Sequence, residues 1–117
     1  VARRAFEAFR VGLLGGDLSA YYDLITDDYT FWFPSGNYKG ENKGKANAMQ
    51  FYSFVLSVLK FSKIELERVY SDGGSWFMFE FQDEGTLRDA PYQNRVVIGL
   101  QVRGQQICGY REYFGLS

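Results

Sequence analysis

The final part of the chain constrains the fold most strongly, because it reads as two strands joined by a tight turn. Both runs are rich in β-branched and aromatic residues, and Arg103-Gly104-Gln105 between them is typical of a hairpin loop. Since side chains of a strand alternate between its faces, one face of each strand is mostly apolar and carries a single polar group. These rows are Asn94, Val96, Ile98 and Leu100 in the first strand, and Cys108, Tyr110, Glu112 and Phe114 in the second. A carboxylate in such company needs a partner or a use, so Glu112 is the best functional clue in the sequence.

The residues before this hairpin predict three helices and three further strands. Apolar spacing predicts helices over residues 2–14, 17–25 and 45–59, and strands over residues 29–33, 63–70 and 75–82. Residues 38–44 are polar and predict a loop. Helices near the N-terminus followed by meandering strands are typical of an α+β fold. We therefore expect one domain over residues 1–117, in which a curved antiparallel sheet wraps around three helices and forms a cone with an internal pocket.

The composition excludes several classes of function. Lys and Arg total 13, Asp and Glu total 14, and no basic stripe occurs, so neither nucleic acid nor a membrane is expected as a partner. Cys108 is the only cysteine, which excludes an intrachain disulfide and favours a cytoplasmic setting. The chain has no histidine, so we expect no metal site and no histidine-dependent triad. Its glycines do not form a phosphate-binding loop, so no cofactor is expected either.

Two carboxylates are the candidate catalytic groups. Glu112 is expected to point into the pocket, where desolvation would raise its pKa and suit it to acid–base chemistry. The alternative is a structural ion pair of Glu112 with Arg95 or Arg111. Glu80 is the second candidate, because it is the only charged residue in a strand that is apolar on both faces. A shift of one residue in register would turn Glu80 outward.

The remaining pocket residues are predicted to be mainly aromatic. Aromatic residues make up 19% of the chain, and they can fill a core or line an apolar pocket. Asn94 can orient a ligand or water through its amide, or it can satisfy backbone groups near a bulge. We expect a small, neutral, apolar molecule as the ligand. The predicted ligand-binding residues are Asn94, Phe9, Phe31, Phe33, Tyr52, Trp76, Met78 and Tyr110.

Short motifs spread over almost the whole chain carry a family resemblance. They are Gly16-Asp17-Leu18, Thr26-Asp27-Asp28, Pro34-Ser35-Gly36, Tyr38-Lys39-Gly40, Tyr92-Gln93-Asn94-Arg95 and Arg111-Glu112-Tyr113-Phe114. In this order they make the chain resemble the SnoaL-like family of the nuclear-transport-factor-2-like superfamily. The resemblance implies the cone fold. The superfamily includes isomerases, dehydratases, polyketide cyclases and epoxide hydrolases as well as proteins without chemistry, so the fold does not select a reaction.

The resemblance to two enzyme groups of this superfamily is partial. The catalytic positions of ketosteroid isomerases fall near Phe9, Phe33 and Val97, which are apolar here and cannot transfer protons. One catalytic carboxylate of limonene-epoxide hydrolases matches Glu112, in the same Arg-acid-Tyr-Phe setting. Their arginine and first aspartate fall in the strand that holds Glu80, which offers one acid and no arginine.

Two functions are compatible with these residues. The first is a small-molecule-binding domain in which Glu112, alone or with Glu80 and Asn94, catalyses isomerisation, cyclisation or hydration of a neutral apolar substrate. The alternative is a non-catalytic ligand-binding or dimeric interaction module of the same fold. A pKa of Glu112 near neutrality would favour catalysis, and an ordinary or lowered pKa would favour an ion pair.

A homodimer through the outer face of the sheet is also expected. The resemblance implies this mode of pairing, and the sequence pattern allows it, because the face mixes apolar area with arginine and tyrosine, which are enriched at interfaces. The predicted surface comprises Arg95, Val97, Gly99, Gln101, Ile107, Gly109, Arg111 and Tyr113.

Overall fold

The computed structural model describes residues 1–115, in which short helices and strands precede four long strands. The helices are α1 (Ala2–Gly15), α2 (Ser19–Tyr22) and α3 (Lys45–Val58), with one 3-10 turn at Gly36–Tyr38. The strands are β1 (Ile25–Phe33), β2 (Gly40–Lys43), β3 (Leu59–Ser71), β4 (Trp76–Leu87), β5 (Ala90–Arg103) and β6 (Gln106–Phe114). No helix within residues 1–115 is long and apolar enough to cross a membrane.

The two N-terminal helices end where glycine and a short polar segment interrupt the apolar spacing. Helix α1 stops at Gly16, whose φ of 76° is left-handed and therefore suits a residue without a side chain. Asp17 then accepts hydrogen bonds from the backbone N–H (2.9 Å) and the hydroxyl (2.6 Å) of Ser19. Helix α2 is much shorter than predicted, because the chain enters β1 already at Ile25.

The six strands form one curved, open sheet in the order β2-β1-β6-β5-β4-β3. This confirms the predicted α+β fold class with its curved sheet and helices. All neighbouring strands are antiparallel except β1 and β6, which pair in parallel. Strand β2 was predicted as a loop, because its sequence GENK is polar. It nevertheless pairs with β1 at the edge of the sheet, where polar residues are common.

The core lies between the helices and the face of the sheet that they cover, called the inner face here. Phe6 of α1 stacks on Phe79 of β4 with ring centroids 4.6 Å apart, and Phe31 of β1 stacks on Phe51 of α3 at 5.0 Å. Such pairs each contribute about 0.5–1.5 kcal/mol beyond the burial of their surface. The helices are thus held against the inner face largely by aromatic contacts.

The predicted inner rows of the C-terminal hairpin are confirmed except at Cys108, which is buried but lies outside the core cluster. Residues Val96, Ile98, Leu100 and Tyr110 are buried, and the register pairs Ile98 with Glu112 across β5 and β6. Ile107 is an exception, because it was predicted on the outer face but is fully buried. The register of β5 against β6 shifts between Gln101 and Val102, and this shift reverses the alternation at the start of β6.

Candidate functional site

A cavity of about 250 Å³ lies between the inner face of the sheet and helices α1 and α3. Every long strand contributes to its wall, and aromatic side chains make up about half of the lining residues. The polar side chains of the wall are few, which suits a ligand that is mainly apolar. The aromatic lining residues are Phe9, Phe33, Phe51, Tyr52, Phe54, Phe61, Phe81, Tyr92, Tyr110 and Phe114, and the polar ones are Asp83, Asn94 and Glu112.

Glu112 faces this cavity from β6. The hydroxyl of Tyr110, two residues earlier on the same face, donates a hydrogen bond to Oε1 of Glu112. Burial raises the pKa of Glu112 to about 7, because the apolar wall disfavours the ionised carboxylate. The Tyr110 hydroxyl lowers this pKa and the charge of Asp83 raises it. Glu112 therefore titrates in the neutral pH range.

The two arginines that could have paired with Glu112 lie on the other face of the sheet. Arg95 forms ion pairs with Glu67 and Glu80, and Arg111 stacks over the ring of Trp32 at 4.7 Å. Among residues 1–115, no basic side chain lines the cavity. The ion-pair alternative for Glu112 therefore finds no partner, and the direction of its pKa shift agrees with this geometry.

Asp83 of β4 is a second cavity carboxyl that the sequence reasoning missed. Asp83 is 3% exposed, and its Oδ1 has no hydrogen-bond partner. Burial raises the pKa of Asp83 to about 6, with the Tyr92 hydroxyl partly opposing this rise. The prediction ended the strand at Gln82, although the aromatic row of Phe79 and Phe81 continues at period two to Asp83. Extending that row would have found it.

Asn94 lies opposite Asp83 on β5 and serves both of its predicted roles in part. Its Oδ1 accepts hydrogen bonds from the backbone N–H of Arg95 (2.9 Å) and of Gly115 (3.2 Å). Its Nδ2 donates to the hydroxyl of Tyr92 at 3.3 Å. The amide thus satisfies backbone groups while it lies in the cavity wall and orients the Tyr92 hydroxyl.

Three buried tyrosines form a chain of hydroxyls behind the cavity. The hydroxyl of Tyr29 is 2.8 Å from that of Tyr21 and 2.8 Å from that of Tyr52. Burial raises the pKa of all three, so they stay neutral at physiological pH. Tyr52 is the member of this chain that lines the cavity.

Six of the ten predicted site residues line the cavity, and four do not. Glu80, Trp76 and Met78 were assigned to the wrong face of β4, because this strand is apolar on both faces and its alternation does not identify the buried one. Phe31 is fully buried but packs behind Phe51 rather than lining the cavity. The six that line it are Glu112, Asn94, Phe9, Phe33, Tyr52 and Tyr110.

Glu80, Trp76 and Met78 lie together on the outer face of the sheet. Glu80 pairs with Arg95 at 3.3 Å and accepts a hydrogen bond from Tyr70 at 3.3 Å. Met78 and Trp76 cover the neighbouring strands at two glycines: a Cβ at Gly99 would lie 2.7 Å from Sδ of Met78. These glycines were predicted to allow a second sheet to approach. In the structure, they make room for side chains of the same sheet.

The cavity has the groups for proton transfer. In the described part of the chain, no three Asp, Glu or Cys side chains cluster so that they could hold a metal ion. A carboxyl titrating near neutral pH can both remove and return a proton, and the Tyr110 hydroxyl fixes its orientation. The mainly apolar wall around it strengthens such electrostatic interactions, because its dielectric constant is low.

The fold and the cavity define a cone-shaped α+β domain of the nuclear-transport-factor-2-like class. The family model described as the SnoaL-like domain matches residues 2–110, so the chain belongs to the SnoaL-like family. This confirms the resemblance seen in the sequence. No curated protein matches the chain.

Solved structures share this fold over nearly the whole chain. An NTF2-like protein from Anabaena variabilis ATCC 29413 is 42% identical, with a TM-score of 0.90 over 99% of this chain and 87% of that one. A proposed isomerase from Bacillus subtilis is 22% identical, with a TM-score of 0.88 over 97% and 86%. An LEH-like epoxide hydrolase from M. tuberculosis is 20% identical, with a TM-score of 0.74 over 97% and 81%. The last two show similarity of fold alone.

Proposed function

We propose that this domain binds a small, largely apolar molecule in the cavity and performs acid–base chemistry on it through Glu112. Isomerisation, cyclisation and hydration are among the reactions that a single carboxyl can catalyse by transferring protons. Hydration is included because an epoxide hydrolase is among the proteins that share the fold. We further propose that the protein is cytoplasmic and forms a homodimer through the outer face of the sheet.

The observation that carries this proposal is the isolation of Glu112. Its carboxyl lies in an apolar wall, accepts a hydrogen bond from Tyr110, and faces no basic side chain among residues 1–115. A structural carboxylate would be expected to have a cation or several donors, because burying an unpaired charge costs several kcal/mol. A catalytic acid or base gains from the same surroundings, because they bring its pKa to about 7.

In this proposal Glu112 removes a proton from one position of the substrate and returns it to another. Tyr110 stabilises the carboxylate while it is ionised and keeps the carboxyl aimed at the cavity. The aromatic wall positions the apolar part of the substrate and excludes water from the reacting atoms.

Turnover of a panel of small apolar ketones, enones and epoxides tests the proposal. We expect the wild-type protein to convert members of at least one class and Glu112→Gln to lose that activity by about 100-fold or more, as expected for removal of a general acid or base. The matched control is Glu65→Gln, which changes an exposed glutamate of β3 and should retain full activity. Activity that survives in Glu112→Gln would refute the role of Glu112.

A second candidate function is a ligand-binding module without catalysis. It is favoured by Phe9 and Phe33, which line the cavity with apolar side chains. The resemblance to ketosteroid isomerases implies that the catalytic groups of those enzymes fall near these two positions. Under this alternative the same panel binds in the cavity but is recovered unchanged, and Glu112→Gln alters affinity without altering any rate.

A further inference from the structure

We propose that the cavity binds an apolar molecule that carries an ammonium group. The ammonium group donates a hydrogen bond to the carboxylate of Asp83, and Glu112 supplies a second negative charge. This narrows the class of ligand, and it rests on the proposed function only in placing the ligand in the same cavity. Two independent observations point to a cation: an unpartnered carboxylate oxygen and an unbalanced pair of acids in an aromatic wall.

The first observation is the bare oxygen of Asp83. The residue is 3% exposed, lines the cavity, and its Oδ1 has no hydrogen-bond partner. The amide of Asn94, opposite Asp83 on β5, donates from Nδ2 to the hydroxyl of Tyr92, and neither group makes a hydrogen bond to Oδ1 of Asp83. A buried polar atom without a partner is costly, so a ligand that brings a donor to this oxygen removes that cost.

The second observation is the charge of the wall. Asp83 and Glu112 both face the cavity, whereas Arg95 and Arg111 of the neighbouring strands lie on the outer face. Within the described range 1–115, no lysine or arginine compensates the two carboxyls from inside. A concave, low-dielectric surface lined by one sign of charge attracts the opposite sign, so the cavity selects for a cation.

The aromatic composition of the wall agrees with this choice. A positive charge is attracted to the faces of aromatic rings, and aromatic walls with acidic groups recognise organic ammonium ions in proteins. The apolar remainder of such a ligand fills the space between Phe33, Phe61 and Phe114. A neutral apolar ligand, as expected from the sequence, fills the same space but leaves Oδ1 of Asp83 bare and desolvates both acids further.

Binding of a cation must be linked to proton release. Burial raises the pKa of Asp83 to about 6 and of Glu112 to about 7, so near neutral pH the pair still holds protons. An ammonium group beside them lowers both pKa values, and the protons leave as it binds. The other titratable side chains of the wall are Tyr52, Tyr92 and Tyr110, whose pKa values burial raises, so they remain protonated.

Three isosteric probes separate charge, hydrogen-bond donation and apolar contact: 2-phenylethylamine, 2-phenylethanol and propylbenzene. Isothermal titration calorimetry near neutral pH, in two buffers of different ionisation enthalpy, gives both affinity and proton release. We expect the amine to bind at least about tenfold more tightly than the alcohol, because a charge-assisted hydrogen bond is about twice as strong as a neutral one. We also expect protons to be released with the amine alone.

The variants assign the effect to named groups. Asp83→Asn keeps the side-chain shape and should remove the preference for the amine, whereas Glu112→Gln should weaken amine binding and reduce the proton release. Asp28→Asn is the control, because Asp28 pairs with Arg103 on the surface, where its side chain is 64% exposed. Circular dichroism of each variant verifies that it is folded, and the proton release of the wild type supplies a readout that does not depend on any variant.

The outcomes distinguish this inference from the proposed function. Equal binding of all three probes, or tighter binding of the neutral ones, overturns the ammonium proposal while the cavity remains a ligand site. Absence of binding by the amine at millimolar concentration overturns it as well. If turnover survives in Glu112→Gln, the catalytic proposal is refuted, but the expected difference in affinity between the amine and the alcohol is unaffected.

Discussion

Replacing Glu112 with glutamine should stabilise the protein at alkaline pH and leave its stability nearly unchanged in acid. Burial raises the pKa of Glu112 from an ordinary 4.5 to about 7. As the pH rises, the unfolded chain therefore loses this proton before the folded protein does. The contribution of Glu112 to stability is present below about pH 4.5 and is lost as the pH rises through about 7. Glutamine does not titrate, so the variant does not lose stability at this position as the pH rises.

The magnitude follows from the two pKa values. The interval from 4.5 to about 7, at roughly 1.4 kcal/mol per pH unit, corresponds to about 3 kcal/mol. At about pH 8 the free energy of unfolding of Glu112→Gln should therefore exceed that of the wild type by up to about 3 kcal/mol. At about pH 4 the two should agree within about 0.5 kcal/mol, because the amide oxygen of glutamine can still accept the bond from Tyr110.

Urea denaturation followed by circular dichroism at the two pH values measures this difference. Glu65→Gln is the control, because Glu65 is 63% exposed and forms a surface pair with Lys63 at 3.1 Å. Its stability should differ from the wild type by less than about 1 kcal/mol at either pH. A Glu112→Gln variant that is less stable than the wild type at alkaline pH, by the roughly 3–5 kcal/mol of a broken buried ion pair, would refute the reasoning.

Three further predictions concern the contact between β3 and β4, the tyrosine chain and the proposed dimer. Gly85→Ala should lower the free energy of unfolding by more than about 3 kcal/mol in urea denaturation, because its Cβ would lie 1.8 Å from the carbonyl oxygen of Lys60; equal stability to the wild type would contradict this. Tyr29→Phe removes the hydroxyl shared by Tyr21 and Tyr52 and should cost about 1–3 kcal/mol in thermal melts; an unchanged melting temperature would argue against it. The proposed dimer should become monomeric in Met78→Glu, and a wild-type monomer in sedimentation velocity at high micromolar concentration would refute the dimer.

The fold could be predicted from the sequence because several signals agree. The hairpin turn at Gly104, the alternation of β5 and β6, and the helical spacing of α1 and α3 all point to the observed elements. The missed features are those in which tertiary pairing overrides local preference. Strand β2 is polar and exists because β1 provides hydrogen-bonding partners, and β1 begins at Ile25 although Thr26-Asp27-Asp28 reads as a break.

The candidate site could be predicted only in part, and the reason differs between strands. Glu112 was placed correctly because its row in β6 contrasts with polar residues on the opposite face. Strand β4 has no such contrast, since Trp76 and Met78 on the outer face are as apolar as Phe79 and Phe81 on the inner one. Alternation then cannot select a face, so the sequence points to Glu80 as the second candidate acid, whereas Asp83 is the residue that lines the cavity.

The two cavity acids together impose a cost that packing does not explain. The rise in the pKa of Asp83 from 3.8 to about 6 corresponds to roughly 3 kcal/mol, similar to the effect of Glu112. Each of these costs is present above neutral pH, and each is a sizeable fraction of the 5–15 kcal/mol by which a domain is usually stable. Asparagine and glutamine would fill the same space without this cost. We propose that a ligand accounts for this cost, because the carboxyls would transfer a proton to it or hold its positive charge.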